Sequence, residues 1–332
     1  MLSHRREVEM KVNEKKNDAI SLMRFLACLL IINSHCGDLY PIPYLAIGGG
    51  QGNIIFFMLS GYCLANITLD FGQWIKKRYI KIIPITFSVI LLRIIFIDGI
   101  SKVLDRDVFE NILFYLNLYW FVFAILLYYL VYYFIFCVNS KKRVICALAF
   151  YALMYAYIYV FKLDLNRFCI ELEGFSAFKV LFYFGPFVTG GALRQYYTPR
   201  KKKVNLLFVL LGIILGLIIW AIEYYKIIIL GNGYYSQILI HVGIFVFGIF
   251  SLFFMINLND RNIEVNNMVK RVIEVIGENT LAIYVVQVSF KPVCYRWRFP
   301  LNVVMFWIIA LVGGCLYNKI YSQLKERRRK FK

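Results

Sequence analysis

Apolar residues run through this chain in long blocks, broken by short polar and basic clusters, and ten of the blocks approach the length of a bilayer crossing, about 20 mostly apolar residues. They fall at about 18–36, 50–69, 79–98, 113–138, 143–161, 176–194, 204–223, 235–256, 272–290 and 299–318. The fourth is long enough to tilt or to include a piece lying at the interface. This pattern predicts an all-α, polytopic transmembrane bundle of about ten helices. No period of 20 to 50 residues repeats, and no low-complexity stretch or soluble domain interrupts the blocks.

Charge gives the bundle a direction. With the amino terminus taken as cytoplasmic, 27 Lys and Arg residues fall in segments that face inward and 8 in segments that face outward. The positive-inside rule then puts both termini in the cytoplasm. One outer loop is discordant, because Lys291, Arg296 and Arg298 all face outward. Either the ninth block is misplaced or these bases meet an anionic group there.

Composition narrows the class. With 61% hydrophobic and 18% aromatic residues in 332, the chain has too much apolar surface for one soluble core. The net charge of +19 could suggest nucleic acid, but the bases sit in short clusters between apolar blocks, as membrane anchors do, so no nucleic-acid partner is expected. The eight Cys form no C-x-x-C pair, which indicates neither a disulfide framework nor a metal site. Residues 1–17 are strongly charged and no small-residue cleavage pattern follows. The first block is therefore expected to stay as a membrane helix of a multi-pass plasma-membrane protein.

Candidate chemistry concentrates between Arg24 and Pro84. Polar groups inside apolar blocks are expensive and tend to be functional. His35 is one of three histidines, with His4 and His241, and imidazole takes and returns protons near neutral pH. A histidine with only a structural task is the bland alternative. Asp38, three positions on, could orient the ring if the helix continues, although Gly37 and Pro41 suggest that it ends nearby. Arg24 lies 11 residues before His35, about 16 Å along a helix and close to the same azimuth. The two would face one groove at different depths, unless Arg24 only snorkels to the interface.

Lys76, Lys77, Arg78 and Lys81 make a dense cationic patch at the inner mouth, with Pro84 expected to disrupt the start of the third helix. Such groups suit a phosphate-bearing ligand, and they equally suit an ordinary anchor. The run Gly48 to Asn53 matches no nucleotide loop and is expected to turn the chain tightly before the second helix. Ser60 and Gly61 would allow close helix approach there. Asp105, Asp107, Glu110, Asp164, Glu171 and Glu173, in the longest outer loops, could shape a site for a polar acceptor or be solvated charge.

These residues resemble the membrane-bound acyltransferase 3 family, bacterial O-acyltransferases of cell-surface sugars. The family has a basic residue followed after ten others by His, matched by Arg24 and His35. Its F-F-x-L-S-G-[FY] signature is matched by Phe56, Phe57, Leu59, Ser60, Gly61 and Tyr62. The preceding Gly-Gly-x-Gly-Asn is similar to a polysaccharide acetyltransferase subgroup. Its R-R-x-x-R-I-x-P stretch is matched as Lys77, Arg78, Lys81, Ile82 and Pro84, with Lys for Arg at 77 and 81. Charge is kept there while the bidentate fork is lost. Trp120-Phe121 and the run Gly277 to Tyr284 agree more loosely, and Gln287 stands where family members often carry His.

The resemblance implies a transmembrane acyltransferase region at 18–318, between a charged cytoplasmic tail at 1–17 and a basic one at 319–332. It implies acetyl-CoA or another acyl-CoA as donor substrate, with no tightly bound cofactor and no metal. The donor phosphates would lie near Arg78, Lys81 and Lys77, with Arg24 helping to hold the donor. His35 would act as general base on a hydroxyl of a saccharide or lipid-linked glycan, or carry the acyl group transiently. A transporter or flippase of a polysaccharide precursor is the alternative, although no repeated halves or paired interrupted helices are visible. A membrane sensor or scaffold is disfavoured by the lack of a soluble output domain.

Overall fold

The computed structural model describes residues 18–170, 174, 176–197, 204–259 and 266–330. The tail at 1–17, the loop acids Glu171 and Glu173 and the bases at 200–203 and 261 lie outside the described residues. The helices are α1 (Asp18–Ser34), α2 (Gly49–Leu64), α3 (Phe71–Arg93), α4 (Ile100–Asp105), α5 (Val108–Leu118), α6 (Trp120–Phe136) and α7 (Lys141–Phe161). They continue with α8 (Ala177–Ala192), α9 (Leu206–Tyr224), α10 (Ile238–Asn259), α11 (Asn267–Glu278), α12 (Thr280–Phe290), α13 (Leu301–Ile308) and α14 (Gly314–Lys330). No strand occurs among the described residues.

Five helical stretches are long and apolar enough to cross a membrane, namely Phe71–Asp98, Lys141–Phe161, Leu206–Ile229, Tyr234–Leu258 and Leu301–Glu326. Two bent pairs raise the number to seven. Each of the ten expected blocks is helical, but α1 and α2 have only 17 and 16 residues, roughly 25 Å against about 30 Å of hydrocarbon, and α8, whose helix runs on to Tyr197, is not apolar enough. Among the described residues, length and composition give five to seven candidate crossings, which does not confirm the expected ten.

Two blocks are broken rather than straight. The fourth bends by 86° between α5 and α6, and α5 begins at an Asp107 side chain that accepts from the Phe109 N–H at 2.9 Å. The ninth bends by 67° between α11 and α12. At that bend Asn279 Nδ2 donates to the Val275 carbonyl, and Asn318 Nδ2 donates to Asn279 Oδ1, both at 2.6 Å.

The third helix differs from expectation at both ends of its basic stretch. It starts at Phe71, where Asp70 accepts from the Gln73 N–H at 2.9 Å, and passes through Pro84 without stopping. Proline removes one backbone donor; one turn on, the Ser88 hydroxyl donates to the Pro84 carbonyl at 2.6 Å. Lys76, Lys77, Arg78 and Lys81 thus stand on a helix. Gly48, at φ 107°, makes the turn before α2, so Gly49 to Asn53 form its first turn of helix.

The centre of the molecule is α2, packed against α1, α8 and α10. Phe57 is fully buried, with its ring 4.6 Å from Phe121, 5.2 Å from Tyr128 and 5.3 Å from Tyr183. Toward the other end α2 and α8 come into backbone contact. A Cβ on Gly61 would lie 1.8 Å from the Phe187 carbonyl oxygen, and one on Gly190 would lie 2.0 Å from that of Met58. Small residues let helices approach this closely where apolar solvent gives no hydrophobic drive.

Arg93 is a charged group set deep in this framework. It is 6% exposed and pairs with Asp98 at 2.9 Å, while its Nη1 donates to the Val288 and Ser289 carbonyls at 3.2 and 2.9 Å. These are last-turn carbonyls of α12, which no residue of that helix could satisfy. Tyr115 adds a bond to Asp98 at 3.0 Å.

Candidate active site

Arg24, on α1, points toward the last turn of α2, where its Nη2 lies 3.7 Å from Cys63 Sγ. The Cys63 thiol also feels the charges of Arg194 and Arg78. Lys81 feels Arg78, Lys77, Arg24 and Lys325. Six cations from α1, α3, α14 and the segment after α8 therefore lie within electrostatic range of Cys63 or Lys81. Among the described residues no carboxylate pairs with any of them.

Aromatic rings hold two of these cations. Arg194 donates to the Tyr62 hydroxyl at 3.2 Å and sits over the same ring, and Arg78 lies 5.4 Å over Trp74. Arg78 Nε is buried with no partner. Like charges gathered together repel one another, so an anion among them would stabilise the arrangement.

Arg194 and Lys325 escaped the sequence reading as site residues. Their only signal was a place beside an apolar block, which an anchoring base gives equally.

His35 sits at the opposite end of α1, just past its last residue. The helix ends at Ser34, and Cys36 to Leu39 form tight turns, with Leu39 N–H bonded to the Cys36 carbonyl at 2.9 Å. Asp38 therefore does not share a helix face with His35. Its carboxylate pairs with Lys291 Nζ at 2.5 Å and accepts from the Tyr295 hydroxyl. Burial alone would raise the Asp38 carboxyl, but those two bonds and the Lys291 charge hold it below the usual carboxylate range. The Lys291 pair also supplies an anionic partner for one of the three discordant bases.

His35 is half-buried and within Coulombic reach of Lys291, Lys179 and Asp38. Lys179, on α8, is 4% exposed and holds its ammonium 4.2 Å over the Trp120 ring. Two cations from different helices thus flank the histidine. His241, by contrast, is stacked on Phe182 at 3.6 Å and bonded to Tyr155 at 2.8 Å, a packed environment remote from these groups in kind.

A small part-open cleft with about 20 Å³ of free volume lies between the two ends, walled by Cys28 and Ile31 of α1, Phe56 of α2, Phe121 of α6, and Tyr284 and Gln287 of α12. On α1 its wall falls between Arg24 and His35 in the sequence. The signature helix contributes to each region: Phe56 to the cleft wall, Phe57 to the packing behind it, Gly61 to the α8 contact and Tyr62 to the cationic end. Ser60 stands half-buried beside Gly61.

Residues 17–317 match the family model described as an acyltransferase domain, that of acyltransferase 3. The chain belongs to the acyltransferase 3 family. No match was found among curated proteins or among solved structures. With membrane-spanning helices over nearly the whole matched length, it is a multi-pass membrane acyltransferase.

Proposed function

We propose that this acyltransferase moves an acetyl group from cytoplasmic acyl-CoA to a hydroxyl of a cell-surface or exported saccharide, and that it does so in the inner membrane. The observation that carries this reading is the order along α1: cations around Arg24 with no carboxylate partner among the described residues, a cleft wall at Cys28 and Ile31, and His35 beyond it. Eleven residues of helix rise about 16 Å. The pantetheine arm of coenzyme A, extended, is of that order, so a donor with its phosphates among Arg24, Arg78, Lys81, Lys77 and Arg194 could present its thioester toward His35.

The chemistry then follows from the side chains. His35 takes the proton of the acceptor hydroxyl as its oxygen attacks the thioester carbonyl, the C–O bond forms, and the C–S bond breaks to release the coenzyme A thiolate. Lys179 and Lys291 supply positive potential where the carbonyl oxygen becomes negative. Asp38, held by Lys291 and Tyr295, sets the position of Lys291. The excess of basic residues at the Arg24 end supports a cytoplasmic placement of that end.

Mass spectrometry of surface glycans with and without the protein, and with His35→Ala in its place, tests this reading. Loss of the ester with the polymer intact is the expected result. Loss of the polymer itself in the deletion strain, or full esterification with His35→Ala, overturns it.

A further inference from the structure

Lys291 lies within Coulombic reach of His35 and stands at the residue that closes α12, with its ammonium held by Asp38. Where the root of that side chain sits depends on how the helix ends. In a continuing α-helix the Val288 carbonyl would accept the N–H four residues on, but position 292 is proline, which has none. The chain tightens instead into a 3₁₀ turn over Lys291–Arg296, and the Lys291 N–H goes back to the Gln287 carbonyl. The carbonyls of Val288 and Ser289 are left over, and both residues are buried, where an unpaired backbone oxygen is costly.

Arg93 supplies the missing donors. Its Nη1 serves both carbonyls, while its Nε and Nη2 donate to Asp98 at 2.9 and 3.1 Å, so the guanidinium is held from two sides. The Ser289 hydroxyl donates to the Val285 carbonyl and accepts from Tyr119. The last turn of α12 is thus gripped from the end of α3 and from the bend between α5 and α6. A buried arginine and its counter-ion cost free energy that an apolar helix end would not, and in membrane proteins such groups mark function. Here the carbonyls they hold lie two and three residues before Lys291.

We propose that Arg93 is a positioning residue of the reaction centre: by holding the last carbonyls of α12 it fixes where Lys291 stands beside His35. The inference rests on the proposed roles of His35 and Lys291, and adds the group that sets the Lys291 backbone. Asp38 holds the tip of the lysine and Arg93 its root. Asp38 is itself half exposed, so with the root loose the Asp38–Lys291 pair could shift as a unit away from His35. A displacement of about 1 Å, even from a residue far from the reacting atoms, can cost about 100-fold in rate.

A double-mutant cycle tests this in membranes that carry the protein and its native acceptor, with thiol release from acetyl-CoA read per amount of immunoblotted protein. Arg93→Lys keeps the charge and loses the planar fork that serves Asp98 and two carbonyls at once. It is expected to lower kcat by about 10- to 100-fold with KM for acetyl-CoA within a few-fold of wild type, because the donor phosphates bind at the other end of α1. Lys291→Met should lower kcat at least as far. Adding Arg93→Lys to Lys291→Met should then lower it by less than about 3-fold more, since a residue that acts through Lys291 has nothing left to place. A group that only stabilised the fold would lower the amount of protein and would act equally in both backgrounds. Should Arg93→Lys be lost from membranes, Asp98→Asn, which loosens the guanidinium while keeping it, takes its place in the cycle with the same expected non-additivity. An equal fold-loss in both backgrounds, an unchanged kcat in the wild-type background, or wild-type turnover in Lys291→Met overturns the positioning role and leaves His35 standing. Full turnover in His35→Ala overturns the reaction centre itself.

Discussion

The Arg194 guanidinium, at the end of α8, donates to the hydroxyl of Tyr62 at 3.2 Å and lies 5.1 Å from the centre of its ring. A cation distant in sequence is thereby oriented by the last turn of the signature helix. With Arg24 and Arg78 it lies within electrostatic range of Cys63. Arg194→Ala should raise KM for acetyl-CoA about 10-fold or more with kcat little changed, since hydrogen bonds to charged groups contribute about 1.5–3 kcal/mol. Steady-state kinetics with a truncated thioester that lacks phosphates provide the control, and its KM should not move. An equal effect on both donors would remove Arg194 from phosphate binding. Tyr62→Phe should give the same pattern with a smaller rise.

His35 is assigned the proton, so its loss should act on turnover rather than on donor affinity. His35→Ala and His35→Gln should lower kcat by about 10²- to 10⁴-fold with KM for acetyl-CoA within a few-fold of wild type. Immunoblots of the membrane fraction should show normal amounts of both variants. A large rise in KM with kcat preserved would make His35 a binding residue.

At Gly61 and Gly190 the packing leaves no room for a methyl group, since the contacts a Cβ would meet are backbone atoms of the opposite helix. Forcing the helices apart costs about 1–3 kcal/mol or more. Gly61→Ala and Gly190→Ala should each lower the unfolding midpoint in detergent by roughly 5 °C or more. Size-exclusion after a heat step reads this directly, and an unchanged midpoint would mean that the crossing is looser than described.

The Asp38 carboxyl, held below its ordinary range, gives a pH signature. Its pairing contributes stability that is present above the unfolded carboxyl pKa of about 3.9, and that is lost as pH falls through the lower folded value. Asp38 is half exposed, so the effect is small, under about 1 kcal/mol. Asp38→Asn should lower the midpoint slightly at pH 7 and flatten its decline on the acid side. Melting curves between pH 3 and 7, a window of about four units around that pKa, would refute the pairing if both proteins declined alike.

The helical class was legible because each apolar block is helical, and Arg24, Lys77, Arg78 and Lys81 converge as their spacing on two helices suggests. What the sequence hid is long-range. Nothing local marks Tyr119 as a bend, and Pro84 reads as a break although an apolar helix carries it through. The end of α1 at Ser34 was half visible in Gly37 and Pro41, yet the partner that Asp38 takes there, Lys291, is brought in by a different helix. Arg194 and Lys179 acquire meaning only through Tyr62 and Trp120, on other helices. A single sequence reports which side chains are unusual for a membrane, and proximity is decided by packing.

The Arg93 cap has a consequence for how the chain is made. Its guanidinium satisfies carbonyls 195 and 196 residues further on, so during synthesis this charge leaves the ribosome long before its partners exist. Asp98 and Tyr115 emerge soon after it and can hold the charge near the membrane surface in the meantime. α12, with 11 residues, is too short to be inserted by itself. Its seat is completed only when it arrives between helices that are already in place. About the last sixth of the chain, from Thr280 on, thus joins a waiting assembly, and a nascent chain that stalls before Thr280 would carry an open slot with an arginine at its edge.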